Sequence, residues 1–297
     1  TLAFFRSDTI TFAGDISGTG GLLFMGGTTV TLTGNNSFTG GIALSGGTLV
    51  VGADSELGGA GSTLTLAGST LQATASFTSS RDIVLAGTGG TFVTGSNVLT
   101  LAGTVSGAGG LTVGAGSSLV LTGTNTYAGG TTIGAGGLLT LGGTGSIQGN
   151  VANSGTLQFA GTGTNTFGGS ISSTGAVQQV SGTTVLTAAS SYTGGTTISG
   201  GTLQLGNGGS LASSGAVTVT GGTFDLNGQN QTVGSLSGSI GGTVALNGGA
   251  ALTVNQSTNT SYGGVINGTG SLIKEGSGTL TLDGTNSYTG GTTINGG

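Results

Sequence analysis

Residues 12–47 read FAGDISGTGGLLFMGGTTVTLTGNNSFTGGIALSGG, and this stretch decides the fold because it recurs without a gap. Residues 101–136 read LAGTVSGAGGLTVGAGSSLVLTGTNTYAGGTTIGAG, and residues 262–297 read YGGVINGTGSLIKEGSGTLTLDGTNSYTGGTTINGG. A degraded copy covers 167–200 and has lost one residue. A repeat of this kind cannot bury its apolar face alone and must stack on its neighbours. The sequence therefore predicts one continuous stacked domain over 1–297.

Composition excludes several classes of function. The 297 residues include 71 Gly and no Pro, Cys, His or Trp, and only 4% are charged. The formal net charge is -5, and the basic residues are Arg6, Arg81 and Lys274, so no nucleic-acid partner is expected. No apolar run approaches the ~18 residues of a transmembrane helix, so no membrane-spanning segment is predicted.

Short runs in which apolar residues alternate with threonine, such as TVTL at 29–32, predict strands with one buried face. Gly-Gly and Gly-Asn pairs between the runs predict tight turns. Three strands such as 29–32, 42–45 and 48–51 fit in one turn of about 19 to 26 residues, and the 26-residue spacing of Phe12 and Phe38 favours the upper value. The prediction is an all-β, three-stranded solenoid with no α-helix. It forms an elongated rod of roughly 11 to 16 coils, ~55 to 75 Å long.

An asparagine and an aromatic residue recur at the same phase of the three strong copies. They are Asn36, Asn125 and Asn286, followed two residues later by Phe38, Tyr127 and Tyr288. Asparagine side chains satisfy turn amides and large rings fill corners, so both series are interpreted as structural. An aromatic platform for sugars is the alternative.

Acidic residues are the main candidates for catalysis. Asp54 and Glu56 are the closest pair in sequence, and glycoside hydrolysis needs two carboxylates about 5 to 9.5 Å apart. Both stand in a turn-like stretch, where acids usually serve solubility. No catalytic residue is therefore predicted.

The other polar motifs also favour structural interpretations. Arg81-Asp82 and Lys274-Glu275 are interpreted as solvated ion pairs of little energetic consequence. Without His or Cys, zinc sites and histidine triads lack members. GGTFD at 221–225 faintly matches a calcium-binding repeat but occurs once, so no metal-binding residue, cofactor-binding residue or cofactor is predicted. Thr-x-Thr pairs, which could form a hydroxyl array for ice binding, are interpreted as β-branched surface filling.

The consensus LxLxGTNxYxGGTTI, at 119–133 and 280–294, closely resembles the autotransporter-associated β-strand repeat. The resemblance implies a right-handed parallel β-helix from the passenger region of a Gram-negative autotransporter. It also implies export through a C-terminal β-barrel translocator, which is not present in this chain, and display outside the cell. Placing Gly296-Gly297 before Thr1-Leu2 recreates GGTL of 200–203, so we expect a slice of a longer repeat array.

Together, these observations predict a non-catalytic structural rod or stalk that presents or spaces other regions, with adhesion as an additional role. Two alternatives stay open: a head-to-tail extracellular fibre subunit and a polysaccharide-active β-helix enzyme. The expected partners are neighbouring coils of the same or identical chains, end to end. A cell-surface or matrix ligand is left unidentified.

Overall fold

A computed structural model describes all residues, Thr1–Gly297, as two compact units. Unit 1 is Thr1–Gly149 and unit 2 is Asn150–Gly297. Each unit is a parallel β-solenoid, and the two contain about 15 turns in total. The all-β prediction and the absence of α-helix are confirmed, since the only helical residues form short 3₁₀ helices at Asp54–Leu57 and Asn247–Gly249. One continuous domain over 1–297, its rod shape and its right-handed coiling stay predictions.

Unit 1 is built from 15 strands, most of them short. They are β1 Leu2–Phe5, β2 Thr9–Phe12, β3 Leu22–Met25, β4 Thr29–Leu32, β5 Ile42–Ser45, β6 Thr48–Val51, β7 Leu64–Ala73, β8 Phe77–Ser79, β9 Ile83–Val93, β10 Val98–Leu101, β11 Val105–Ser106, β12 Gly110–Val113, β13 Ser118–Leu121, β14 Thr131–Ile133 and β15 Leu138–Gly143. The predicted strands 29–32, 42–45 and 48–51 coincide with β4, β5 and β6. The prediction that all three share one turn is wrong, because β4 pairs with β6 of the following turn, Thr29 with Thr48.

Unit 2 contains the other 15 strands, several of them longer. They are β16 Val151–Asn153, β17 Thr156–Phe167, β18 Ile171–Ser172, β19 Ala176–Leu186, β20 Thr196–Ile198, β21 Thr202–Leu205, β22 Ala216–Asp225, β23 Gln231–Val233, β24 Ser235–Leu246, β25 Ala251–Asn255, β26 Thr260–Tyr262, β27 Val265–Gly268, β28 Ser271–Glu275, β29 Leu280–Leu282 and β30 Thr292–Ile294.

One turn takes about 20 residues, which is the lower part of the predicted range. Leu2 pairs with Leu22, and Leu22 pairs with Ile42. The interpretation of the 26-residue aromatic spacing as a turn length is wrong, because Phe12 aligns with Leu32, not with Phe38. That spacing measures one full turn plus the segment that follows β4. A 36-residue repeat copy therefore spans nearly two turns.

Leucine and valine point inward and threonine points outward, as the alternation predicts. Val30 and Leu32 are buried, whereas Thr29 and Thr31 are half-buried on the outer face. Threonines align on the outer face of seven successive turns of unit 1: Thr9, Thr29, Thr48, Thr70, Thr91, Thr112 and Thr132. The neighbouring column changes to Thr11, Thr31, Val50, Gln72 and Val93. The Thr-x-Thr pairs thus do not extend into a two-column array, and surface filling explains them.

Candidate functional site

The four repeat copies share one irregular segment between strands, which we call the repeat arc. It covers residues 34–41, 123–130, 188–195 and 284–291. In the first arc the N–H groups of Ser37, Thr39 and Gly40 donate to carbonyls of the preceding turn, at 2.8, 3.0 and 3.2 Å. The other arcs repeat this pattern through Thr126, Ala128 and Gly129, through Ser191, Thr193 and Gly194, and through Ser287, Thr289 and Gly290. The arc therefore bonds each copy to the turn before it.

The recurring asparagine completes these bonds, as predicted. The side-chain oxygen of Asn36 accepts the N–H of Ile16 at 2.8 Å, and the oxygen of Asn125 accepts that of Val105 at 2.9 Å. Asn286 accepts the N–H of Ile266 at 2.8 Å in the same way. These apolar residues enter the core directly after a corner, so a side chain one turn away has to satisfy their amides.

A serine replaces the asparagine in the degraded copy. Ser190 Oγ accepts the N–H of Ile171 at a longer 3.3 Å. Sequence reasoning missed Ser190, although aligning its copy on Tyr192 places it two residues before an aromatic ring, where Asn125 stands in the second copy.

The asparagine amide nitrogen also contacts the following turn. Asn36 Nδ2 donates to the carbonyl of Glu56 at 2.6 Å, and Asn125 Nδ2 donates to those of Gly123 and Ser146 at 2.8 and 2.9 Å. One buried amide group thereby joins three successive turns.

The arc aromatics fill the interior of the coil. Phe38 and Tyr127 are 1% and 0% exposed, so the sugar-platform alternative is wrong for these rings. The hydroxyl of Tyr127 is hydrogen-bonded to that of Thr131 at 2.7 Å, four residues later. Tyr192 with Thr196 and Tyr288 with Thr292 repeat this pair at 2.6 and 2.5 Å. Phe38, which has no hydroxyl, is followed four residues later by Ile42 instead.

We expect the tyrosine–threonine pair to behave as one unit. Tyr127→Phe leaves the buried Thr131 hydroxyl without its partner and should cost about 1–2 kcal/mol. Adding Thr131→Ile recreates the Phe38–Ile42 pair and should recover most of that loss. Chemical unfolding of the single and double variants measures the coupling, and strictly additive effects would contradict the pairing.

Burial of the phenols predicts sensitivity to alkali. Burial raises the pKa of Tyr127, Tyr192 and Tyr262 well above its ordinary value. The protonated phenols therefore contribute stability that is complete below about pH 10 and falls as pH rises further, by up to about 1.4 kcal/mol per pH unit and phenol. We expect the melting temperature to fall above pH ~10, together with the appearance of phenolate absorbance. Tyr127→Phe should make that fall shallower, and an unchanged slope would show that this phenol does not contribute.

The first glycine of the Gly-Gly pair that ends each arc is required by close approach of the chain. A Cβ atom on Gly40 would lie 2.5 Å from the backbone of Gly20 and Gly21 in the preceding turn. Gly194 and Gly290 meet Gly175 and Gly270 at the same distance. No side chain fits there, which explains why this glycine recurs in every copy.

One residue of the degraded copy departs from the glycine pattern. The carbonyl that accepts the arc's second N–H belongs to Gly18, Gly107 and Gly268, whose φ angles are 103°, 108° and 106°. In the degraded copy it belongs to Ser173, with φ of 77°.

Ser173→Gly should therefore stabilise unit 2 by about 0.5–1 kcal/mol, because it relieves the strain of a left-handed non-glycine residue. The larger entropy of glycine in the unfolded chain offsets part of that gain. Thermal unfolding tests this. The matched change Ser172→Gly, where φ is not positive, should lower the melting temperature, and equal effects of the two would contradict the strain.

The acidic pair lies in the 3₁₀ helix Asp54–Leu57. Glu56 Oε2 accepts the N–H of Gly52 at 2.6 Å, and the Asp54 carboxylate accepts from Arg81 Nε at 2.9 Å. The interpretation that these acids serve solubility is wrong, because both hold the chain at a corner. Each carboxylate is occupied by a partner within the protein.

The interpretation of Arg81 and Asp82 as a solvated pair is also wrong. Arg81 is only 3% exposed and turns away from the exposed Asp82 to pair with Asp54. Its guanidinium also donates to the carbonyls of Gly58 and Gly59, at 2.6 and 2.8 Å, and to the hydroxyl of Ser62. A single buried side chain thus binds four residues spread over the segment 52–62: Asp54, Gly58, Gly59 and Ser62.

Lys274 is likewise buried and not a solvated partner of Glu275. It aligns with Val254 and Ile294 on an inward position of β28. Its Nζ donates to the backbone carbonyls of Glu275, Gly276 and Gly296, at 2.5, 3.1 and 3.2 Å. The signal that could have placed Lys274 inside is its period-two spacing from the inward Leu272.

The remaining polar features offer little chemistry. Asp225 is buried and accepts from Gln204 Nε2, Asn247 Nδ2 and the N–H of Asn227, at 2.8, 3.1 and 3.0 Å. No three acidic side chains gather where they could hold a metal ion. A groove of about 400 Å³ in unit 1 is lined by glycines, threonines and apolar residues such as Leu23 and Ile42, with no charged side chain.

No helix in the chain is long and apolar enough to cross a membrane. The model of the passenger-associated-transport-repeat matches four segments, at 25–51, 117–141, 181–205 and 272–297. Each match contains one repeat arc, including that of the degraded copy, so the predicted resemblance is confirmed. No curated protein and no solved structure matches the chain. The repeats and the β-solenoid fold together support an autotransporter passenger domain.

Proposed function

We propose, from the four passenger-associated-transport-repeats carried on a parallel β-solenoid, that this chain is a non-catalytic structural stalk within a secreted, surface-displayed protein of the autotransporter type. It presents or spaces other regions of that protein, with adhesion as an additional role. The repeats support secretion and exposure at the surface of a Gram-negative bacterium, through a translocator outside this chain.

One observation carries the proposal: the polar side chains that could do chemistry bind the protein's own backbone. Asn125, Arg81 and Lys274 are buried and donate to carbonyls of successive turns. Asp54 and Glu56, the candidate catalytic pair, bind Arg81 and the N–H of Gly52. These contacts support the integrity of a stack and leave no convergent set of reactive groups.

Turnover of polysaccharides tests the non-catalytic part. We expect no product from the purified chain on neutral or acidic polysaccharides. Asp54→Ala should lower stability because Arg81 loses its partner, and Glu56→Ala should loosen the corner at Gly52. Neither variant should change an enzymatic activity. Turnover by the unchanged chain that both variants abolish would establish the enzyme alternative.

Electron microscopy tests the stalk. About 15 turns at ~4.8 Å per turn correspond to particles roughly 70 Å long, and we expect separate rods of constant width. Compact particles would contradict a stalk. Continuous filaments of constant width would favour the fibre subunit instead.

A further inference from the structure

Four of the five Asn-Gly sequences in unit 2 follow one another at intervals of 20 residues. They are Asn207-Gly208, Asn227-Gly228, Asn247-Gly248 and Asn267-Gly268, and all four glycines have positive φ. Asn227 and Asn247 occupy the same corner of successive turns, because Asp225 aligns with Ala245. Asn207 is one residue out of step with Asn227, because Gln204 aligns with Asp225. Asn-Gly is the dipeptide in which the asparagine side chain reaches the following backbone nitrogen most freely, because glycine has no side chain in the way.

Three of these asparagines are anchored. Asn227 donates its N–H to Asp225 Oδ1 at 3.0 Å and its side-chain amide to the carbonyl of Leu205 at 3.1 Å, and the N–H of Gly228 donates to Asn247 at 2.8 Å. The side-chain amide of Asn247 donates to Asp225 Oδ1 at 3.1 Å. Asn267 is part of β27 and aligned with Ala245.

Asn207 has none of these restraints. It is exposed, its side chain makes no hydrogen bond, and the N–H of Gly208 has no acceptor within the protein. Asn207 and Gly208 are the central residues of a β-turn closed by one bond, from the N–H of Gly209 to the carbonyl of Gly206 at 2.8 Å. With glycine on both sides, this corner can rearrange at low cost.

We propose that Asn207 is a self-modification site that reacts with its own backbone. The deprotonated nitrogen of Gly208 attacks Cγ of Asn207, a new N–Cγ bond forms, the Cγ–Nδ2 bond breaks, and ammonia leaves. Water then opens the five-membered imide at either carbonyl and leaves aspartate or isoaspartate at position 207. The reaction needs only water, adds one negative charge at the corner, and in the isoaspartate form lengthens the main chain by one carbon.

Peptide mass mapping tests this after the folded chain is incubated in mildly alkaline buffer. Asn207 should convert roughly a hundredfold faster than Asn227, because three hydrogen bonds have to open before Asn227 can react. In a parallel incubation in urea, where no anchor persists, the two rates should become similar. Asn295-Gly296 is also exposed without a side-chain partner, and we expect it to react at a rate near that of Asn207.

Asp225→Ala provides the matched variant, since it removes the acceptor that holds both Asn227 and Asn247. Conversion at these two residues should accelerate while conversion at Asn207 stays unchanged. Asn207→Ser should abolish the fast conversion at 207 alone. Equal rates at Asn207 and Asn227 in the folded chain, or modification of Asn207 only in urea, would overturn the proposal.

Discussion

Replacement of Arg81 by methionine is expected to make local opening of the segment 52–62 easier by about 3–5 kcal/mol. Methionine fills the interior but leaves the Asp54 carboxylate without its cation. It also leaves the carbonyls of Gly58 and Gly59 without their donor. Each unpaired buried group adds a desolvation cost that packing does not offset. Hydrogen exchange of the amides in 52–62 measures the opening directly. A local measurement is needed because the turns of a solenoid can open separately.

Two further variants sharpen that result. Arg81→Lys keeps the charge but lacks the planar fork of donors, so most of the loss should remain. Arg6→Met removes the other arginine ion pair, which Arg6 forms with Asp8. Both side chains of that pair are 54% exposed, so this variant should leave hydrogen exchange in 52–62 unchanged. If Arg81→Met and Arg6→Met behave alike, Arg81 does not hold the segment.

Asn36→Ala is expected to destabilise the first repeat arc by about 2–4 kcal/mol. The N–H of Ile16 loses its acceptor and the carbonyl of Glu56 loses its donor, in two different turns. Amide exchange of Ile16 and chemical unfolding of the chain measure the effect.

The neighbouring asparagine is the control. Asn35 is exposed, and Asn35→Ala should change stability little. Asn36→Ser should lose less than Asn36→Ala, because Ser190 shows that a hydroxyl still accepts the same N–H at 3.3 Å. Equal losses for Asn35→Ala and Asn36→Ala would show that burial of the amide group does not matter.

Much of the fold could be predicted because its signal is local. Alternation places Val30 and Leu32 inside and locates β4 to the residue. The phase shared by Asn36 and Asn125 indicates a turn-satisfying side chain, and both bind the amides expected of it. The turn length was harder to predict, because the 26-residue aromatic spacing is the sum of one full turn and part of the next. Only cross-turn pairs such as Leu2 with Leu22 separate the two.

The contacts of Arg81 could not be predicted, because its partners lie 19 to 27 residues away. Adjacent opposite charges such as Arg81 and Asp82 favour a solvated pair in any local interpretation. At that corner the 3₁₀ helix Asp54–Leu57 determines which side of the chain faces the core. This helix has no periodic sequence pattern from which it could be predicted. Lys274 differs: its interpretation as a solvated partner of Glu275 was wrong, although period-two alternation along β28 would have placed it inside.

The burial of Arg81 and Lys274 also changes what a protease meets at the surface. Enzymes that cleave after basic residues must draw the basic side chain and its flanking backbone into an extended groove. Two of the three such residues are enclosed, with their donors bound to neighbouring turns, and only Arg6 presents its side chain outside. This arrangement leaves trypsin-like enzymes a single accessible site near residue 6 while the solenoid stays folded.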